Sequence, residues 1–263
     1  MKFHSLGKTW ICALVFFFCV SGGGPVAALE EGASPSLFAA AGLTGIEFES
    51  YAGWESRYAA EGRDDLPESG VYVSGVSAGY RGFSAAFDFI GGDSTGYGEM
   101  NYGIGYGGEY RGVEFGVGYT RLEFHDVSGE SVPGDNEWSA EASYGGFGFV
   151  SPSFGFVYAD NRERSGSFAE LKLAAALPVG GDLVSVSPYL SQSFDFGYRT
   201  KENDGLNNFQ IGVEVGLEVK EGVSLSGHLS HSFKQKDVKE ELKADEEVKA
   251  AGTWGGVSLS FSL

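Results

Sequence analysis

Cysteine, histidine, proline and positive charge are all scarce in this chain. Its two cysteines, Cys12 and Cys19, both lie within an N-terminal apolar stretch. Beyond that stretch no disulfide framework and no cysteine-ligated metal site can be built. The only histidines past it are His125, His228 and His231, too few and too scattered for a transition-metal cluster. Pro numbers 7 and Met 2 against 42 Gly, a balance that suits crowded strands better than helices. Lys and Arg total 18 against 36 Asp and Glu, for a formal charge of −18. Such a charge argues against nucleic acid as a partner and against a basic membrane-surface patch. The longest apolar run, 10–20, falls well short of the roughly 20 residues that a membrane-spanning helix needs.

That run has the length of a secretory signal core. Lys2 and Lys8 supply a positive start, and Val26-Ala27-Ala28 supplies the small residues that precede a cleavage point. A cut after Ala28 is expected, making 1–28 a signal peptide. Losing Lys2 and Lys8 leaves the exported chain more acidic still. Residues 29–43 are then expected as a periplasmic N-terminal segment, followed by one domain over 44–263.

After Gly45 apolar and polar residues alternate again and again with period two, the pattern of strands with two unlike faces. Phe83, Ala85, Phe87 and Phe89 alternate with Ser84, Ala86 and Asp88. Val113, Phe115, Val117 and Tyr119 alternate with Glu114, Gly116 and Gly118. Phe209, Ile211, Val213, Val215 and Leu217 alternate with Gln210, Gly212, Glu214 and Gly216. The phase shifts near Gly75, which predicts a bulge. The runs predict about 12 strands, within a range of roughly 10–14. Short connections such as Arg81-Gly82 and Glu221-Gly222 take turns with long ones at 59–69, 125–136 and 234–251. The fold class is therefore all-β, a closed antiparallel transmembrane β-barrel, with both chain ends on the short-turn, periplasmic side. A soluble sandwich also alternates, but Gly, Ser and carboxylates could not form its dry interior. Aromatics gather at the strand ends: Tyr58, Tyr97, Trp138, Tyr158, Tyr198, Phe209 and Trp254 by the long loops, and Tyr80, Phe83, Tyr106, Tyr110, Phe149 and Phe154 by the short turns. Two such rings suit the two interfaces of a bilayer.

A signal, about twelve amphipathic strands and a last strand in which Val257, Leu259, Phe261 and Leu263 alternate with serines together resemble bacterial outer-membrane β-barrel proteins of the porin kind. The resemblance implies an outer-membrane location, contact with outer-membrane lipids and recognition by the barrel-assembly machinery. Members of that family typically end on an aromatic residue. Here Phe261 stands two places before Leu263.

The polar face carries Glu47, Glu49, Asp88, Glu99, Glu114, Glu141, Glu170, Glu214 and Glu218, with Lys172 as the single base among them. These are the expected channel-lining residues. Rows of carboxylates on a narrow wall concentrate cations. The expected function is a passive, cation-preferring channel or porin-like pore for small solutes, with small cationic solutes as partners, no cofactor and no catalysis. Arg57, Arg111 and Arg121 would close such a pore if they turned inward to pair with these acids. Two other classes compete. One is a surface structural or adhesive barrel that binds through its long loops. The other is a lipid hydrolase using His228 and Ser230. His228-Leu229-Ser230, with Glu240 or Glu241 downstream, looks like the catalytic arrangement of outer-membrane lipid A deacylases, in which a histidine activates a serine. The charged run 234–250 reads best as a solvated loop, with a short helix as one option. Gly75-Val76-Ser77-Ala78-Gly79 and Gly103-Ile104-Gly105-Tyr106-Gly107-Gly108 match nucleophile-elbow and dinucleotide patterns. Neither is followed by the helix that those chemistries need.

Overall fold

Strict alternation along each run sets the architecture, because a strand with one apolar and one polar face must place each in a different medium. The computed structural model describes residues 45–145, 147–160, 165–179, 183–199, 204–244 and 248–263. The expected signal over 1–28 and the segment 29–43 lie outside the described residues. In chain order the elements are β1 (Glu47–Glu55), β2 (Ala59–Ala60), β3 (Arg63–Asp64), β4 (Val71–Tyr80), β5 (Phe83–Gly92), β6 (Gly98–Tyr110), β7 (Val113–His125), β8 (Ser131–Val132) and β9 (Asn136–Tyr144). There follow β10 (Val150–Asp160), β11 (Ser165–Ala175), β12 (Leu177–Val179), β13 (Val184–Phe196), β14 (Asp204–Lys220), β15 (Val223–Lys234), α1 (Lys236–Ala244), β16 (Lys249–Ala250) and β17 (Thr253–Ser262).

The long strands β1, β4, β5, β6, β7, β9, β10, β11, β13, β14, β15 and β17 pair antiparallel in that order. β17 returns to β1, from Glu49 opposite Ser262 to Glu55 opposite Gly256. Phe48 and Leu263 add a reciprocal pair of backbone hydrogen bonds of 3.2 and 3.0 Å. The ring is thus closed, and every strand has two neighbours. β8 pairs with the end of β7 just before β9 begins, and β12 pairs with β13 just after β11 ends. β2, β3 and β16 form a separate small sheet at the long-loop end.

The outward face is apolar across the middle of the barrel: Phe83, Phe87, Ile104, Phe115, Val117, Leu171, Leu190, Ile211, Leu225 and Val257 are all exposed. In water this would be an untenable patch, whereas in lipid it is the required belt. The short-turn aromatics Tyr80, Phe83, Tyr106, Tyr110, Phe149 and Phe154 are all exposed, as a girdle demands.

Three features differ from the sequence reading. No bulge occurs at Gly75, since β4 keeps continuous register with β1 and β5. Val71 and Val73 face inward because the lumen there is filled by Tyr58, Leu66, Ile90, Tyr97, Leu122 and Phe124. The irregularities fall instead in β14, opposite Gln192–Phe194 of β13 and between Glu218 and Lys220. At the long-loop end Trp138 and Tyr158 are exposed, but Tyr58, Tyr97 and Tyr198 are buried inside the mouth. Finally, the described part of the charged run, 234–244 and 248–250, is no free loop. It holds α1, with Asp237 in its first turn and Lys243 in its last, a polarity that suits the helix dipole. Asp237 and Val238 of α1 are buried.

Ile104 is 65% exposed and lies midway along β6, at the depth where a charge costs most. Ile104→Arg is expected to destabilise the folded barrel by about 2–4 kcal/mol. Thr120→Arg, on the inward face of β7, should cost far less. Urea titration of both variants in bilayers, read by the heat-modifiable shift in gel mobility, checks the contrast.

Candidate functional site

The inner wall collects carboxylates because every second residue of each strand points there. Glu47 and Glu49 stand on β1, Asp88 on β5, Glu114 on β7, Glu141 on β9, Glu170 and Lys172 on β11, and Glu214 and Glu218 on β14, all at inward register positions. Several lie along the wall instead of projecting across the lumen. Tyr51 donates to Asp88 at 2.8 Å, Ser143 to Glu114 at 3.1 Å and Ser191 to Glu170 at 3.1 Å. Lys172 is 3.2 Å from Glu214 and 4.2 Å above the Tyr189 ring. Glycine makes the room. A Cβ on Gly116 would sit 2.7 Å from the Glu141 carboxylate, and one on Gly256 would collide with Glu55.

Glu99 has a different setting. It is buried beneath the long-loop end, accepting hydrogen bonds from Tyr58, from Tyr97 at 2.7 Å and from Asn101 at 2.7 Å. The connection between β1 and β4 folds into the barrel mouth there, and Tyr58, Ala60, Glu61, Arg63, Asp64 and Leu66 are all buried. Arg63, with 0% exposure, is its hub. The guanidinium donates to Asn207 at 2.8 Å, to the Glu61 carbonyl at 2.7 Å, to Asp237 of α1 at 3.1 Å and to Glu241. Arg199 makes the second lock, 2.5 Å from Asp65 and 3.4 Å from Glu61. Tyr198 donates to Glu137 at 2.5 Å. Burial pushes the Glu61 carboxyl up to about 8 and Asp65 above its usual range, in spite of the Arg199 charge.

The arginines singled out from sequence do other work. Arg57 pairs with Asp64 at 2.7 Å, Arg111 lies over Tyr110, and Arg121 is on the outward face beside Glu123. Among the described residues the inward arginines are Arg63 and Arg199. Nothing local in the sequence marks them, since each is one basic residue in a polar connection.

His228 and Ser230 also meet a different carboxylate from those expected. Glu241 is engaged by Arg63, and Glu55 on β1 takes the histidine, with Oε2 2.6 Å from Nε2. His228 Nδ1 is 3.3 Å from Ser230 Oγ, which is 2.7 Å from the Tyr189 hydroxyl. Ser230 is only 2% exposed and faces inward, so the serine has no open approach for a lipid chain. Among the described residues no group of His, Cys, Asp and Glu is arranged to hold a metal ion.

Known structures share this barrel. The chain is similar to the KdgM porin, with TM-score 0.55 and 7% identity over 82% of this chain and 99% of that one. One KdgM structure is a complex with disordered oligogalacturonate. The NanC porin matches with TM-score 0.53 and 8% identity over 82% of this chain and 100% of that one. An outer membrane channel from Pseudomonas putida F1 matches with TM-score 0.50 and 8% identity, over 83% of this chain and 96% of that one. No family model matches the chain, and no curated protein sequence does. At these identities the likeness is one of fold, and the fold is that of bacterial outer-membrane porins.

The mouth network carries a pH signature. Seated in the mouth, Glu61 keeps its proton up to about pH 8, whereas an exposed carboxyl loses it near 4.5. Its contribution to closure is thus full below 4.5, falls as pH rises from there to about 8, and is flat above. Protection of 59–66 against hydrogen exchange is expected to fall across that window. Glu61→Gln should remove the largest share of the slope, leaving a smaller part from Asp64 and Asp65, whose pKa values are raised in the same direction.

Proposed function

We propose that the chain is a passive outer-membrane pore that prefers small cations, with an inward-folded extracellular connection as its constriction. The observation that carries this reading is the inner wall. Asp88, Glu114 and Glu170 are held by tyrosine and serine donors, Asp88 and Glu141 are seated over cross-strand glycines, and Lys172, the base set among them, is itself paired with Glu214. A fixed row of acids in a low-dielectric tube raises the local cation concentration without filling the tube. Twelve strands give a bore between the side-chain-filled eight-stranded barrels and the wide channels of sixteen or more. The wall chemistry also sets this chain apart from its structural neighbour. Oligogalacturonate, bound by the KdgM porin, is a polyanion, and a wall of Glu and Asp repels such a solute. Catalysis is not part of the proposal, because Ser230 is buried and the Glu55–His228 contact ties β1 to β15 across β17.

Single-channel recording in a salt gradient tests the proposal. Reversal potentials should report cation preference, and Glu114→Gln with Glu214→Gln should lower it without unfolding the barrel. Arg63→Ala leaves Asp237 and Glu241 without their buried counter-charge, a loss of about 3–5 kcal/mol for a buried pair. It should raise the conductance by loosening the mouth. Anion preference would overturn the reading. Absence of conductance in both the wild type and Arg63→Ala would favour a structural barrel that acts through its loops.

A further inference from the structure

Two short turns on the periplasmic rim are built alike, and neither uses the residue that its geometry favours. They are Tyr80-Arg81-Gly82-Phe83 between β4 and β5, and Tyr110-Arg111-Gly112-Val113 between β6 and β7. Arg81 has φ 51° and Gly82 φ 84°; Arg111 has φ 54° and Gly112 φ 78°. Two successive positive φ values are the mark of a hairpin turn that favours Asn-Gly or Asp-Gly. An arginine in that conformation is strained and gains no local side-chain hydrogen bond of the kind that Asn or Asp makes there. The chain is rich in acids, yet in both turns the strained position holds one of its few bases.

Each guanidinium takes the same place, 5.1 Å over the ring of the tyrosine before it. Tyr80 and Tyr110 are outward-facing and exposed, next to the lipid-facing pair Phe83 and Tyr106, whose rings are 4.9 Å apart. Among the described residues no carboxylate lies within ion-pair distance of Arg81 or Arg111. The nearby acids Glu47, Glu109 and Glu114 occupy inward positions of β1, β6 and β7. At these two turns, then, the nearby acids face the lumen and the arginines face the bilayer. Gly107 donates to the Gly82 carbonyl at 2.8 Å, which fixes the first turn against the strand that leads to the second. Phe83 pairs with Tyr106, so the second turn lies two strand spacings across and about four residues further along β6, roughly 17 Å from the first.

We propose that this rim is a docking surface for anionic phospholipid headgroups, whose phosphates Arg81 and Arg111 hold. A guanidinium stacked on a ring keeps its N–H edge free, and that fork matches two oxygens of a phosphate. The tyrosine places the fork at headgroup level, where aromatic rings settle. The functional gain offsets the backbone strain, and it explains why a base is used where Asn would fit better.

Arg81→Asn with Arg111→Asn tests the proposal cleanly, because Asn suits both turns and the variant should fold at least as well. The full barrel is refolded into phosphatidylcholine vesicles with and without phosphatidylglycerol, and lipid retained after extraction is counted by native mass spectrometry. The wild type should retain phosphatidylglycerol preferentially, and the double variant should retain on the order of tenfold less. Inorganic phosphate should not compete. Equal retention by the variant would overturn the proposal. So would displacement by inorganic phosphate, which would make the rim a free-anion site, or preference for lipopolysaccharide, which would put these turns in the other leaflet.

Discussion

Everything in this molecule follows from the closure of β17 on β1. Inside hydrocarbon, no water is present to satisfy a backbone N–H or C=O, so an open sheet edge would leave a row of them unpaired at several kcal/mol each. The register from Glu49 opposite Ser262 to Glu55 opposite Gly256 removes that edge. Once the ring is closed, inside and outside are fixed for every residue on it. A one-residue slip anywhere would drive carboxylates into lipid. The period-two pattern is therefore a consequence of closure as much as a cause of it.

Closure also creates the crowding problem that glycine solves. Inward positions hold long acidic and aromatic side chains on a surface of small radius, and neighbours directly opposite are only about 4.5–5.5 Å apart. Pairing Glu141 with Gly116, and Glu55 with Gly256, lets each long side chain lie across a notch in the next strand. At these positions glycine is spatial complementarity to the acids. An alanine at either position would push a carboxylate toward the axis. The same rule accounts for Gly212, over which the Tyr189 ring lies. Wall flatness and charge are in this sense one property, encoded as Gly–acid pairs across neighbouring strands.

The wall was legible in the sequence and the mouth was not, for a physical reason. Strand faces follow from local periodicity, so the inward set from Glu47 to Glu218 could be read residue by residue. The connection after β1 has no period. Its fold depends on partners far along the chain: Arg63 on Asn207, Asp237 and Glu241, and Arg199 on Glu61 and Asp65. No window of sequence contains both halves of such a pair. The apparent phase change at Gly75 failed for a related reason. Val71 and Val73 are apolar because Leu66 and Tyr58 meet them inside the mouth, so an inward apolar residue imitated an outward one. The Glu55–His228 contact was equally hidden, since its partners are 173 residues apart and become second neighbours only through the closing strand.

The mouth and the wall also sit under different electrostatic regimes. On the wall, acids are spread out, with Asp88, Glu114 and Glu170 each accepting from a neutral donor and Glu214 paired with Lys172. In the mouth, Glu61, Asp64, Asp65, Asp237 and Glu241 are drawn around Arg57, Arg63 and Arg199. Desolvating several acids for a few arginines is expensive, and attraction between them offsets that cost only while the geometry is complete. Such a cluster is held as a unit. Removing Arg63 or Arg199 takes a guanidinium from two carboxylates at once, and through Arg63 the disruption reaches from the β1–β4 connection to α1. A cooperative, charge-locked cap on a rigid, already satisfied barrel separates two tasks. The barrel's stability comes from its closed hydrogen-bond ring, while the cap's comes from ion pairs that respond to pH and charge, so the mouth can rearrange without endangering the wall beneath it.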